Sequence, residues 1–181
     1  MILLNKINDP KMRKAIGFVL SFLTLYLMLN LVYYAYHKFI FPDTIFFTDI
    51  AAYQTEYLLQ LFGHKTSLTF DENYPKIYLN RDNVVILAIY EGCNAATLYI
   101  ILVSFLLSYF QLTKNILLVI ISGIVIMNIL NVARITGLYY VSQYNPREFY
   151  FYHKYLFNGA LLGAVILIWL FALKKYNDLR R

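Results

Sequence analysis

Three residues with reactive or charged side chains lie at the borders of long apolar stretches. Cys93 occurs in Glu-Gly-Cys-Asn-Ala-Ala, Arg134 in Asn-Val-Ala-Arg and His153 in Phe-Tyr-His-Lys. A cysteine becomes an effective nucleophile when a cation, a helix N-terminus or a neighbouring base stabilises its thiolate. The three side chains together predict thiol acyl transfer, with Cys93 as nucleophile, His153 as general acid and base, and Arg134 stabilising the thiolate or an oxyanion. Under this hypothesis we expect a raised thiolate fraction for Cys93 at neutral pH.

Each of these residues also has an ordinary structural interpretation. A lone cysteine in an apolar helix is often a small packing residue, and a histidine at a helix end is often simply interfacial. An arginine near a helix end can extend its charge to lipid phosphate. Cys93 is the single cysteine, so neither an intramolecular disulfide nor a cysteine-based zinc cluster can form within the chain. The catalytic hypothesis therefore depends on all three residues meeting at one membrane face.

Residues next to these three are predicted to support the site or to bind substrate. Gly92 permits close backbone approach of a substrate to the sulfur. The full set of supporting residues consists of Glu91, Gly92, Asn94, Asn131 and Tyr152. His37 and His64 are predicted to be ordinary surface residues, because neither has a cysteine or carboxylate at metal-ligand spacing. No metal site and no cofactor is expected.

The composition indicates the class of protein. Of the 181 residues, 60% are hydrophobic and only 14% are charged, against roughly 25% charged in average soluble domains. The apolar residues form long runs, which excludes a disordered chain and an ordinary cytosolic domain. The net charge of +6 comes mainly from basic residues beside those runs, a pattern that favours membrane orientation over nucleic-acid binding. We therefore predict a small membrane protein with several spans.

Four stretches are apolar and long enough to span a bilayer, whose core requires about 20 residues in helical form. The predicted spans are residues 15–36, 94–110, 116–140 and 155–173. The short connection at 111–115 requires the second and third spans to form an antiparallel hairpin. The predicted fold class is an all-α polytopic membrane protein, with residues 1–181 forming a single membrane-embedded domain.

The distribution of lysine and arginine predicts the orientation of the spans. Nine of the sixteen basic residues lie at 1–14, 111–115 and 174–181, and four crossings place these segments on one side. Residues 37–92 instead hold seven acidic and four basic side chains. We therefore predict that both termini are cytoplasmic, that the 37–92 segment is external, and that all three reactive residues lie near the outer face.

The external segment is predicted to contain a short helix followed by a β-hairpin. Thr48 or Asp49 is a suitable N-cap for the helix, and Gly63 is a suitable end. Beyond the helix, alternating apolar positions and the β-branched run 84–90 predict two paired strands that lead directly to Cys93.

These motifs resemble the exosortase/archaeosortase family of membrane cysteine transpeptidases. The resemblance covers roughly residues 84–173: acidic-Gly-Cys and a small residue at the head of one span, Asn-x-x-Arg in the next, and a histidine opening the last. The EGCNA stretch and the short chain are most similar to the exosortase F branch of Gram-negative bacteria. Cys93 matches the family nucleophile, Arg134 the invariant arginine, and His153 the third position. The chain departs from the family in having about four spans where many relatives have eight, and in having Asn94 where serine is common.

The resemblance implies a protein-sorting enzyme in the cell inner membrane, with its site facing the periplasm. Its substrates would be membrane-anchored proteins that carry a C-terminal signal consisting of a short motif, a transmembrane helix and a basic tail. The cleaved protein would pass through a Cys93 thioester to a lipid- or amine-bearing acceptor; nucleic acid is not expected as a partner. Two alternatives stay open: an intramembrane cysteine protease that transfers to water, and a non-enzymatic membrane scaffold that uses small-residue helix faces such as Gly159 and Gly163.

Overall fold

The computed structural model describes residues 10–40, 46–71, 76–110 and 112–179 of the chain. The described elements, in chain order, are α1 (Pro10–Ala35), α2 (Phe46–Leu61), β1 (Thr66–Phe70), β2 (Lys76–Arg81), β3 (Val84–Tyr90), α3 (Ala96–Tyr109), α4 (Lys114–Tyr144), α5 (Phe149–Phe151) and α6 (Asn158–Leu179). The long helices form a bundle, and α2 packs with the three strands into a small head at one end of it.

Three described helical segments are long and apolar enough to cross a membrane: α1, α4 and the continuous run Pro146–Tyr176, which includes α5 and most of α6. These correspond to three of the four predicted spans. The remaining predicted span, 94–110, is shorter than the prediction. It corresponds to α3, which has 14 residues and extends only about 21 Å, less than the ~30 Å of a hydrocarbon core. Asn94 and Ala95 belong to the turn before α3, and Phe110 is already extended.

The basic segments gather at the end of the bundle opposite the head. Phe18 of α1 contacts Phe105 and Tyr109 near the end of α3, with ring centroids 5.4 and 5.7 Å apart. Phe110 contacts Tyr176 near the end of α6 at 4.8 Å. The start of α1, the end of α3 and the end of α6 are therefore neighbours. The described basic residues at this end are Lys11, Arg13, Lys14, Lys114, Lys174 and Lys175.

The head contains a three-stranded antiparallel sheet in the order β1-β2-β3. Asp82 and Asn83 connect β2 to β3 with φ values of 50° and 65°, the left-handed pair that a two-residue type I′ turn requires. This is the predicted hairpin. β1 adds a strand that the prediction lacked, because Thr66–Phe70 pairs over its full length with β2. The chain is therefore mainly helical rather than all-α.

Helix α2 covers one face of this sheet. It begins at Phe46, so Thr48 and Asp49 lie inside the helix and the predicted N-cap is wrong. Gly63 does follow the end of the helix in the left-handed conformation, with φ of 82°, as a C-terminal glycine commonly does. The shared core consists of buried apolar residues from α2, the sheet and α4, among them Ala52, Leu59, Ile77, Leu79, Ile89 and Leu138.

Helix α4 joins the bundle to the head. Its 31 residues extend about 46 Å, which exceeds a hydrocarbon core of ~30 Å. The first half packs in the bundle through Ile116 and Met127, and the second half packs against the head through Ile135 and Leu138. Arg134 lies about 30 Å along the helix from Lys114, and therefore at the boundary between the two cores.

Candidate active site

Cys93 lies in a tight turn between the sheet and the bundle. β3 ends at Tyr90, residues Glu91–Cys93 form one 3-10 turn, and α3 begins at Ala96. Ala95 has a φ of 56°, and the left-handed region costs a non-glycine residue roughly 1–2 kcal/mol. The left-handed residue redirects the chain into α3, and Cys93 is only 6% exposed.

The Asn94 side chain holds this turn in place. Its Nδ2 donates hydrogen bonds to the Tyr33 hydroxyl at 3.0 Å and to Thr48 Oγ1 at 3.3 Å, and its Oδ1 accepts one from the Ala96 backbone N–H at 2.9 Å. The carboxyl group of Glu91 also lies close to the side chain of Tyr33. Asn94 thus connects α1, α2 and the start of α3 and supports the turn. Both N–H groups of its amide are used within the protein, and Oδ1 retains one free acceptor position.

Asn131 positions the backbone of Cys93 from the other side. It is fully buried in α4, and its Nδ2 donates a hydrogen bond of 2.9 Å to the carbonyl oxygen of Cys93. Arg134 follows it by three residues, a spacing that puts both side chains on one face of the helix. The Asn-x-x-Arg motif therefore has a geometric basis, since one residue holds the turn and the other supplies charge beside it.

Replacing Asn131 with alanine is expected to slow catalysis and destabilise the protein. The change leaves the buried Cys93 carbonyl without its partner, which costs about 1–3 kcal/mol, and we expect a comparable loss of roughly 10-fold or more in rate. Asn128→Ala is the matched control, because Asn128 lies one turn earlier and makes only an exposed 3.0 Å bond to Gln54. Thermal unfolding and substrate processing would measure both. Equal effects of the two variants would exclude the positioning role.

Arg134 is a buried cation beside the Cys93 turn. It is 5% exposed, and its Nη2 lies 3.4 Å from His153 Nε2. In the described part of the chain no carboxylate forms an ion pair with it, and its Nε has no hydrogen-bond partner. An uncompensated buried charge is costly at membrane depth. The guanidinium therefore has donors available for negative charge that develops in the site.

His153 approaches Arg134 from a widened helical turn. Residues Tyr152–Phe157 form a π-helical turn between α5 and α6, a feature found frequently at functional sites. The ring stacks on Phe149, with centroids 5.8 Å apart and planes 11° apart. Because arginine only donates hydrogen bonds, the Nε2 that faces it must accept. This assigns the neutral tautomer with the proton on Nδ1, and Nε2 can act as a base once the arginine N–H no longer occupies its lone pair.

A glycine allows the π-helical turn to lie against α4. A Cβ added at Gly137 would come within 2.7 Å of the Phe157 ring, so only glycine leaves room there. In contrast, Gly159 and Gly163 have no heavy atom within 4 Å of such a Cβ. The small-residue face predicted for a scaffold is thus unpacked in this chain, whereas Gly137 contributes to the site.

Cys93 and His153 line the same cavity, which has a volume of about 350 Å³. Its walls are mainly apolar and come from β3, from the second half of α4 and from Phe149. Arg134 lies behind this surface, in contact with His153. The structure therefore brings together the three residues that the sequence singled out, at the boundary between bundle and head.

The titration of Cys93 differs from the prediction. Burial raises the pKa of the thiol above its ordinary value, against the smaller opposing effects of a backbone hydrogen bond with Tyr90 and the positive charge of Arg134. The raised thiolate fraction predicted from sequence is therefore wrong for the resting protein. The thiol is protonated at neutral pH, so the site needs a base such as His153 to remove that proton.

We expect thiol-directed reagents to label Cys93 slowly at pH 7 and faster as the pH rises. A raised pKa moves the midpoint of the rate profile to higher pH, while low exposure only lowers the rate at every pH. Arg134→Met removes a charge that lowers the pKa, so it should move the midpoint further up. The protein denatured in detergent is the control, because Cys93 is the single cysteine. A native midpoint below the denatured one would contradict this assignment.

The remaining predicted residues have different environments. Gly92 is exposed, and a Cβ there would lie 3.0 Å from the Tyr90 ring. Tyr152 packs near Phe157 at 6.3 Å between ring centroids and belongs to the head core. His64 is half-buried and hydrogen bonds to the Tyr140 hydroxyl at 2.9 Å, so its assignment as an ordinary surface residue is wrong. The side chain of His37 lies outside the described residues.

Sequence reasoning missed two contributions to the site. Tyr33 was not among the predicted site residues, yet it holds the Cys93 turn through Asn94. Phe149 and the strand β3 line the cavity; their only signal was position, a β-branched run and an aromatic cluster next to Cys93 and His153. Among the described residues no three His, Cys, Asp or Glu side chains cluster in a way that could hold a metal ion.

Comparison with known proteins gives one match. Searches of curated proteins and of solved structures found no match to this chain. The transmembrane exosortase family matches residues 9–172, which is most of the chain and includes every residue of the site described above. The chain therefore belongs to the transmembrane exosortase family.

Proposed function

We propose that the protein is a membrane cysteine transpeptidase that removes a C-terminal sorting signal from exported proteins. The observation that carries this proposal is Arg134, a buried cation without an ion-pair partner among the described residues, placed between the Cys93 turn and His153. Such a cation is costly unless negative charge appears beside it. Attack of Cys93 on a peptide carbonyl generates that charge, first on sulfur and then on oxygen.

Acylation begins when the neutral His153 accepts the proton of the Cys93 thiol. The sulfur attacks the carbonyl carbon of the scissile peptide bond, and Arg134 stabilises the resulting oxyanion. The C–N bond then breaks, and His153 returns its proton to the leaving amine. The sorting signal departs with a free N-terminus, and the exported protein remains bound to Cys93 as a thioester.

Deacylation repeats these roles with a second nucleophile. An amine on the acceptor, or on a lipid that carries it, attacks the thioester carbonyl while His153 accepts the amine proton. The tetrahedral intermediate collapses with loss of the Cys93 thiolate, which takes back the proton from His153. The product is a new amide bond, and the enzyme is regenerated. An apolar cavity that limits water favours transfer to an amine over hydrolysis.

The membrane placement follows from the charge distribution and the length of α4. We assign both termini to the cytoplasm and α3 as a fourth, short crossing, since the basic residues lie at the end opposite the head. Arg134 is about 30 Å from Lys114 along α4, so the site lies at the outer boundary of the hydrocarbon. In a Gram-negative cell, as the resemblance of the EGCNA stretch to the exosortase F branch suggests, this is the periplasmic face of the inner membrane.

This depth suits the proposed substrate. A signal with its own transmembrane helix and basic tail crosses the same ~30 Å of hydrocarbon with its positive charges in the cytoplasm. The outer end of that helix therefore lies at the depth of Arg134. A short motif just before the helix is brought beside Cys93 without leaving the membrane surface.

The experiment that tests this function is the mass of the processed substrate. An exported protein that carries the short motif, transmembrane helix and basic tail should be expressed together with the enzyme in the same membrane. The processed protein should then be recovered with a new C-terminus. We expect the mass of an attached amine or lipid at that C-terminus. A free carboxylate would instead support the protease alternative, and an unprocessed substrate would support the scaffold.

Replacing His153 with alanine should lower the processing rate by about 10²–10⁴-fold, the usual effect of losing a general acid and base. Both acylation and deacylation should slow, because His153 transfers a proton in each. Lys154→Ala is the control, since Lys154 is the exposed next residue on the same turn. Rates could be followed by the ratio of full-length to processed substrate. A loss of less than threefold for His153→Ala would contradict the role of base.

A further inference from the structure

The outer edge of β3 forms one wall of the cavity that holds Cys93 and His153. β3 is an edge strand in the order β1-β2-β3, and no other described strand pairs with its outer side. Side chains alternate between the two faces of a strand. The cavity is nonetheless lined by five successive residues, from Ile86 to Tyr90. A cavity that touches every residue of this stretch follows the edge of the strand rather than one face.

A β-bulge lies where the cavity begins. Leu79 pairs with Leu87 and Asn80 pairs with Val85, which leaves Ile86 without a partner in β2. Bulges increase the local twist and occur frequently next to active sites. Ile86 is also the first residue of β3 that lines the cavity. The bulge therefore lies at the point where the edge of the strand enters the site.

The edge of an outer strand offers backbone donors and acceptors to a second chain. Alternate residues of β3 direct their N–H and C=O groups away from β2. The opposite wall of the cavity is apolar and includes Ile135, Leu138 and Phe149. These apolar side chains cannot form hydrogen bonds with the backbone N–H and C=O groups of β3, whereas an extended peptide can form them along its whole length.

The direction of the chain determines how such a peptide would lie. β3 runs from the head to the Cys93 turn, and α3 continues into the bundle toward the basic end. In the proposed substrate the exported domain comes first and the transmembrane helix follows, so its chain also runs from the outer side into the membrane. Its residues before the scissile bond therefore run in the same direction as β3.

We propose that the substrate residues immediately before the scissile bond bind as an added strand, parallel to β3, along the outer edge of Ile86–Tyr90. This inference rests on the proposed function, and it names how the substrate is recognised. Backbone hydrogen bonds hold the segment in register, and the strand delivers its last carbonyl to Cys93, three residues beyond the end of β3.

The lining also defines the class of side chain that fits. Three residues around the cavity have ionisable side chains: Tyr90, Cys93 and His153. None of the lining residues is a carboxylate, lysine or arginine. Burial of an unpaired charge there would be costly. The segment before the scissile bond should therefore consist mainly of small or apolar residues, and lysine and arginine should be excluded from it.

A set of acetyl-tetrapeptide vinyl sulfones of varied sequence tests this proposal on the full chain in membranes. The reagent group reacts with the Cys93 thiol, and mass spectrometry measures the rate of modification. The fastest peptide would then be remade with a single N-methyl group on each of its four amide nitrogens in turn. An added strand directs alternate N–H groups to its neighbour. We expect rates about 10-fold lower at two alternate positions and changes below twofold at the other two.

Deuterium exchange of the modified protein gives a second readout with an internal control. Amides of residues 86–90 should exchange more slowly in the adduct than in the unmodified protein. Amides of β1 (residues 66–70) should be unchanged, since this strand is the other edge of the same sheet. A uniform effect of N-methylation, no effect, failure of every peptide to modify Cys93, or protection of β1 and β3 alike would each overturn the proposal.

These outcomes are separable from failure of the proposed function. If peptides modify Cys93 without an alternating pattern, strand addition is wrong while Cys93 keeps its role as nucleophile. If substrate processing persists in the Cys93→Ala protein, the proposed function is wrong, whatever the peptides do.

Discussion

Replacement of Cys93 with alanine is expected to abolish processing of the sorting signal. No other described residue can form the thioester, and loss of the nucleophile from a catalytic set commonly costs 10⁴-fold or more. Cys93→Ser should be almost as inactive, because a hydroxyl is intrinsically far less acidic than a thiol and burial opposes the ionisation of both. The ratio of full-length to processed substrate in isolated membranes measures the effect.

Two controls separate loss of chemistry from loss of fold. Thr97→Ala changes an exposed residue in the first turn of α3 and should process substrate at the normal rate. The Cys93→Ala protein should still accumulate in the membrane, because alanine removes only the sulfur from the turn held by Asn94 and Asn131. Normal processing by a well-folded Cys93→Ala protein would leave the scaffold as the better description of the chain.

The second large effect is expected at Arg134. Arg134→Lys should reduce the rate by about 10²–10³-fold, although it retains the positive charge. A lysine ammonium is a point charge without the planar set of donors, so it cannot contact His153 and a developing oxyanion at once. Arg134→Met should be at least as inactive and should also raise the midpoint of Cys93 labelling. Processing rates and labelling profiles would be measured on the same membranes.

Arg147→Lys is the matched control, because Arg147 is exposed on the loop between α4 and α5. We expect no measurable change in that variant. A fully active Arg134→Lys protein would show that only charge, and not the geometry of the guanidinium, is needed. Full activity in Arg134→Met would remove the arginine from the mechanism altogether.

The parts of the site that could be predicted from the sequence are those in which a polar or charged side chain lies within an apolar segment. Arg134 interrupts an apolar run of α4, and such a charge is costly at membrane depth, so its functional role could be inferred without a structure. Cys93 and His153 were grouped with it through span length and charge bias alone. The sheet was anticipated only in part, because alternation indicates a strand but does not show that β1 pairs with β2.

Other features depend on tertiary contacts and left no signal in the sequence. The pKa of Cys93 is raised because the head packs over the turn, and burial of this kind depends on residues far away in the chain. Helix α3 is shortened because Asn94 uses its side chain to bond the backbone of Ala96 and begins the helix late. The bond between His64 and Tyr140 joins residues 76 positions apart. Hydropathy and spacing are insensitive to each of these.

The most direct test of the proposed chemistry is to trap the acyl-enzyme. The full-length protein should be mixed with a membrane-anchored substrate in the absence of acceptor, denatured in acid and analysed by intact mass spectrometry. The thioester mechanism predicts an adduct equal to the exported portion of the substrate, linked to Cys93 and released by hydroxylamine. This adduct should be absent from Cys93→Ala and should accumulate in Thr97→Ala as in the wild type. Cleaved substrate without any adduct, or an adduct that persists in Cys93→Ala, would contradict it.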